Sequence, residues 1–208
     1  ERLRDQAELM GNLVSDAVKA SRPFEMNPKR SAEVNVLMTR MAAEMGLGDE
    51  LIRPSIGIKP KIMVILDNAN GNDARTGYFM ENGYDDFKAK LLVSGDLRMG
   101  DLYVTGVCKK VKDKEKDYTK DEIGQFIDFM REEINLVRPT YVLTCGSRAT
   151  SLFNNKSKPS DLVGRKEYLP DLDVTVFYGF NPNILYFRPE EGEKLEAILA
   201  EVAETINK

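Results

Sequence analysis

The chain has 208 residues, 42% of them hydrophobic and 31% charged, with 15 Gly, 9 Pro and a formal net charge of −4. A chain of this length buries roughly 70% of its unfolded surface, which excludes a disulfide-stapled miniprotein, and its ordinary composition excludes a mainly disordered one. No apolar run approaches the ~18 residues of a membrane span, and Glu1-Arg2-Leu3-Arg4 is a polar start and not a signal peptide. Position 1 is not Met, which reads as a segment of a longer or processed polypeptide.

Leu3, Ala7, Met10, Val14 and Ala17 follow helical spacing, and Ser21-Arg22-Pro23 stops that helix. A second helix is predicted over 31–45, with Val34, Met38, Met41 and Met45 on one stripe and Gly46 at the C-terminal cap. The Met stripe reads as core in preference to a partner-binding groove. Residues 51–61 contain Pro54, Gly57 and Pro60 and read as a connector. Residues 1–58 are therefore expected to form a helical extension and linker, and residues 59–208 the main domain.

From Lys61 onward, short apolar runs alternate with helices. Strands are predicted at 62–66, 102–107, 141–145 and 174–178. Helices are predicted around 84–93, from the Thr119/Glu122 capping box to Val137, after Gly146 through Phe153, and from Pro189 to the end. Apolar strands separated by helices imply an α/β fold: a four-stranded parallel sheet in a three-layer sandwich. Ligands of such sheets bind beyond the carboxyl ends of the strands. Here those ends are the loops 67–76, 108–119 and 179–189.

The absence of histidine removes a His general base, Ser-His-Asp and Cys-His nucleophile systems, and His-ligated zinc. Two cysteines, Cys108 and Cys145, cannot complete a zinc or iron–sulfur site. They read as free thiols of a reducing compartment, the cytoplasm. No metal and no cofactor is expected. Positive charge is concentrated at 109–120, where six Lys face Asp113, Glu115 and Asp117. Lys109, Lys110, Lys112 and Lys114 of that stretch could track a phosphate backbone, against the plainer reading of a solvated loop. The first loop, 67–77, holds two carboxylates, three Asn and an Arg, but neither a dinucleotide fingerprint nor a phosphate loop. The third loop places Ile184, Leu185, Tyr186 and Phe187 beside Asn181-Pro182-Asn183. It could supply a short strand, a core plug or a wedge between bases.

The order of four motifs resembles the uracil-DNA glycosylase superfamily, closest to its bacterial thermostable iron–sulfur branch, from about Lys61 to Ile206. Asp67-Asn68-Ala69-Asn70-Gly71…Arg75-Thr76-Gly77 is similar to Gly-Glu-Ala-Pro-Gly…Arg-Thr-Gly. Tyr103-Val104-Thr105-Gly106-Val107-Cys108-Lys109-Lys110 is similar to Tyr-Ile-Thr-Asn-Val-Val-Lys-Cys. The long helix from Tyr118-Thr119, Val137-Arg138-Pro139 and Cys145-Gly146-Ser147-Arg148-Ala149 follow the family's helix, Arg-Pro strand and Gly-x-x-Ala turn. Asn181-Pro182-Asn183 stands in the place of His-Pro-Ser.

The resemblance implies roles for individual positions, and several have changed. The water-activating carboxylate is replaced by Asn68, leaving Asp67 or Asp73 as substitutes. The Asn that reads the base edge is Gly106, which has no side-chain donor or acceptor. The His at the fourth motif is Asn181. Asn183 and the stacking aromatic, Phe79 (or Met80 in an ungapped match), would line the base, and Leu185 would be the wedge. Lys110 replaces a cluster cysteine, so no cluster is expected. The resemblance thus implies a catalytically degenerate domain that binds DNA or a partner within a larger replication or repair protein. Attachment to a DNA polymerase would fit the superfamily's repair role. The alternatives are an active glycosylase using Asp67 or Asp73 and a structural module docking another subunit through residues 1–58.

Overall fold

The structure, a computed structural model, describes residues 3–7 and 24–208. Residues 3–7 are helical and exposed; Met10, Val14 and Ala17 of the first predicted stripe lie outside the described residues. The most apolar stretch of the chain makes the central strand, β2 (Ile62–Ala69), whose first five residues are all buried. Such a run has no polar face to offer water, so it must be covered on both sides and flanked by strands.

The sheet has six strands in the order β1-β3-β2-β4-β6-β5. β3 (Leu102–Val111), β2, β4 (Tyr141–Cys145) and β6 (Val174–Gly179) are parallel and correspond to the four predicted strands. The expected all-parallel sheet of four is corrected to a mixed one, because an antiparallel strand closes each edge. β1 (Ser55–Ile56) pairs with Tyr103 and Val104 of β3, inside the predicted connector. β5 (Lys166–Leu169) pairs antiparallel with β6. Both are short and half-exposed, and carry no apolar run that would announce them.

One face of the sheet is covered by α1 (Pro28–Met45) and by α4 (Lys120–Val137), which follows α2 (Gly71–Thr76) and α3 (Asp85–Val93). α1 starts three residues earlier than predicted because Asn27 caps it, accepting from the Arg30 N–H, and Pro28 sits where its missing N–H is harmless. Met38 and Met41 are fully buried against this face, and Phe24 reaches the Tyr103 ring at 6.3 Å. α4 begins at the capping box of Thr119 and Glu122 and ends where Arg138 turns left-handed before Pro139. The other face packs under α3 and the last helix. That helix follows α5 (Ser147–Ser151), α6 (Pro159–Leu162) and α7 (Ile184–Phe187), and is α8 (Gly192–Ile206).

β3 runs on to Val111, past the predicted end at Val107, because β2 continues to Ala69 and pairs with it across a register shift at Asn68. Lys109 is therefore a strand residue under α4 and not a loop residue. Its side chain is buried, with Nζ 2.7 Å from Glu133 Oε1 and donating to the Gly106 carbonyl at 2.6 Å. Glu133 also accepts from the Tyr103 hydroxyl at 2.8 Å. Removing one member strands the other charge in the core. Lys109→Met or Glu133→Gln should each destabilise the fold by about 3–5 kcal/mol. The double replacement Lys109→Met/Glu133→Leu should recover most of that loss in chemical denaturation.

Candidate functional site at the carboxyl ends of the strands

Asp67 lies near the carboxyl end of the central strand, and the geometry of its carboxylate is set by the turn after β4. Ala149 N–H donates to Asp67 Oδ1 at 2.9 Å, and the Ser147 and Arg148 amides also point to the carboxylate. The first turn of a helix exposes such amides, and here an internal anion takes them. Gly146 permits the approach. Its φ is +144°, and a Cβ there would overlap the Asp67 carboxylate. Burial raises the Asp67 pKa, and the three amides and Arg148 only partly offset it. Arg148 is held beside it: Nη1 donates to Cys108 Sγ at 3.5 Å, and the guanidinium lies 5.6 Å from the Tyr118 ring centroid. Burial pushes the Cys108 thiol up to about 11, so it is a thiol at neutral pH.

Asp73, the second candidate carboxylate, is fully buried. It lies in α2, where it returns the capping contact to the Asn70 N–H at 2.9 Å. The same oxygen, Oδ2, also accepts from the Tyr84 hydroxyl at 3.0 Å, and Oδ1 accepts from the Met80 N–H at 2.8 Å. Three donors fold the segment from Asn70 to Tyr84 around this side chain. That is a structural role, and it leaves Asp73 sealed from water. Burial raises its pKa despite the three donors.

The position expected to read a base edge is covered. Gly106 lies on β3 with the Phe79 ring against it, so that a Cβ would sit 2.5 Å from Phe79 Cε1. Phe79 and Met80 are both fully buried, and neither presents a face to an incoming base. Asn68 donates its amide to the Ala69 carbonyl at 2.9 Å, and Asn181 accepts from the Asn183 N–H at 3.0 Å. The resemblance implies that Phe79 and Gly106 are two parts of a base pocket; in the structure one fills the space left by the other.

The remaining expected contacts separate into inward and outward groups. Lys109 is buried and cannot reach a phosphate, and Lys110 is paired with Glu122 at 2.5 Å. Lys112, Lys114 and Lys116 are exposed on the segment after β3. Leu185, the expected wedge, packs against the second core. The third loop forms α7, and it is Tyr186 and Phe187 that face solvent, 67% and 85% exposed, next to exposed Arg188. Their adjacency to the Asn-Pro-Asn turn is visible in the sequence, but which apolar residue turns outward depends on the helical phase of α7. Among the described residues no group of three or more His, Cys, Asp or Glu is placed to hold a metal ion, and no helix is long and apolar enough to cross a membrane.

The sheet and the helices on its two faces define an α/β domain with a mixed six-stranded sheet. Over all 208 residues the chain is 96% identical to a segment of the DNA polymerase III subunit alpha of Yersinia pestis, and it spans 18% of that protein's length. It is also 23% identical over 163 residues to the Type-4 uracil-DNA glycosylase of Archaeoglobus fulgidus, covering 74% of this chain and 82% of that one. The second similarity is a distant one and supports a relation to the uracil-DNA glycosylase superfamily at most. No protein-family model matches the chain.

Two measurements check this geometry. A carboxyl group whose folded pKa is raised contributes most stability below its unfolded pKa and loses that contribution as pH rises through the folded one. The stability of the native chain relative to Asp67→Asn should therefore fall from about pH 4 upward, as read by denaturation at a series of pH values. Gly106→Asn should overpack Phe79 and destabilise by about 1–3 kcal/mol. Phe79→Ala in the same chain should recover part of the loss.

Proposed function

We propose that the chain is a catalytically silent, uracil-DNA-glycosylase-like domain that engages DNA within a larger replication polypeptide of the cytoplasm. Its near-identity to a segment of a DNA polymerase III alpha subunit supports the replication context, and the distant glycosylase similarity supports the fold relation. The observation that carries the silent reading is the Phe79 ring against Gly106. Base excision requires a flipped base in a pocket, read along its edge. At this position both the reading group and the space are missing. Asp67 is engaged by the turn amides, and Asp73 is buried under three donors. Neither is poised to activate water.

Contact with DNA falls to the outward groups at the same end of the sheet. Lys112, Lys114 and Lys116 supply exposed cations for phosphates. Tyr186 and Phe187 supply faces on which unpaired bases can stack, beside Arg188. Such binding is tolerant of sequence and sensitive to salt.

With equimolar protein and uracil-containing single- or double-stranded DNA, no abasic sites should form over hours. Binding of the same DNA, followed by fluorescence anisotropy, should weaken steeply with salt. Lys112→Ala/Lys114→Ala/Lys116→Ala should flatten the double-logarithmic salt slope by about two to three units. Uracil release abolished by Asp67→Asn would overturn the silent reading, and an unchanged slope would remove the lysines from the interface.

A further inference from the structure

Six of the exposed apolar side chains among the described residues are grouped together, apart from others such as Val36, Tyr186 and Phe187. Ile56, Ile58, Tyr78, Leu92, Val93 and Met99 all lie at the β1 edge or at the end of α3, with Ile58 91% and Val93 82% exposed. Two hollows of about 590 and 320 Å³ open there and share Lys88 and Met99 as lining. β1 pairs with Tyr103 and Val104, and Met99 precedes the first residue of β3. The β1 and Met99 part of this surface is therefore at the amino end of the sheet, away from the carboxyl ends that carry Asp67 and Asn68. Lys88 and Arg98 line the hollows against one acid, Glu81, and exposed Lys59 follows Ile58.

Contiguous apolar surface with a polar rim marks an interaction site. Its chemistry selects the occupant. Apart from Tyr78 its exposed apolar side chains are aliphatic or Met and offer little to nucleic acid, which is bound by dense positive charge and aromatic faces. A free-standing dimer would draw on roughly 20–30 residues from each copy, far more than this cluster supplies. A contact between tethered domains needs less, because the tether holds the partners at a high effective concentration.

We propose that this edge is the seat of the domain on the body of the larger polypeptide, which meets it with an apolar surface rimmed by carboxylates. The inference rests on the reading that the chain is one domain of such a polypeptide, and it is supported by the near-identical relative, of which the matching segment makes up only 18%. Seated in this way, the domain turns its carboxyl end outward, with the lysines after β3 and the aromatics of α7 free to meet DNA.

The test uses a full-length polymerase alpha chain carrying this segment and a zero-length cross-linker that joins amines to carboxylates. Lys59 and Lys88 should cross-link to Asp or Glu outside the 208 residues. Ile58→Asp/Val93→Asp, which alters only exposed positions, should reduce those cross-links at least tenfold and raise amide hydrogen exchange around 54–60 and 91–99. Cross-links found only within the segment, or between two copies of the chain, would overturn the proposal; so would cross-links unaffected by the double variant. The DNA-engaging reading fails separately. If the lysines after β3 do not alter the salt slope of DNA binding by the full chain, that reading is lost while the cross-links stand. If the slope responds and the cross-links are missing, only the seat is lost.

Discussion

The carboxylate of Asp67 in the amides of the turn after β4 is the constraint on which the polar end of this molecule depends. It joins the end of the central strand to the start of α5 and consumes donors that an exogenous anion could otherwise use. The contact dictates glycine at position 146, since any side chain there would occupy the space of the carboxylate. It also fixes Arg148, which extends from the same turn across Cys108 to Tyr118 on the β3 side. Asp73 does the same work on the other side by gathering Asn70, Met80 and Tyr84. Two carboxylates that could have been reagents are instead internal ligands of the backbone.

Those anchors explain why the covered pocket is stable. Met80 donates its N–H to Asp73, which holds the preceding residue, Phe79, over Gly106. To admit a base, Phe79 would have to leave a fully buried position, and exposing such an aromatic costs about 1.5–3 kcal/mol before any base is bound. The bond from Ser55 Oγ to the Phe79 carbonyl at 2.6 Å adds a second restraint from β1. The edge strand thus steadies the closed pocket from behind while its outer side chains face away from it.

Division of labour between the two ends of the sheet follows from strand polarity. Parallel strands present their carboxyl ends together, and there the chain has placed Asn, Lys and exposed aromatics. At the opposite end, aliphatic residues of β1 and α3 remain uncovered. One end carries exposed cations and aromatics, the other exposed aliphatic side chains.

The sequence by itself determined the central parallel strands, the two long helices of the first face and the last helix, because each is marked by a local signal. Ile62 to Leu66 is apolar without interruption, Thr119 and Glu122 cap α4, and Leu195, Ile198, Leu199 and Val202 recur at helical spacing. The motif order also carries the distant similarity to a uracil-DNA glycosylase. The partners of the candidate residues, by contrast, depend on tertiary packing. Lys109 looks like a loop cation until the extension of β2 pairs that stretch and carries it beneath α4 to Glu133. Asp73 looks like a reagent until Tyr84 and Met80 fold back on it, and Phe79 looks like a stacking platform until it meets Gly106. Side-chain type and strand position are local properties. Burial and partnership arise from elements distant in sequence, and these set whether a charge is available to a ligand or already satisfied.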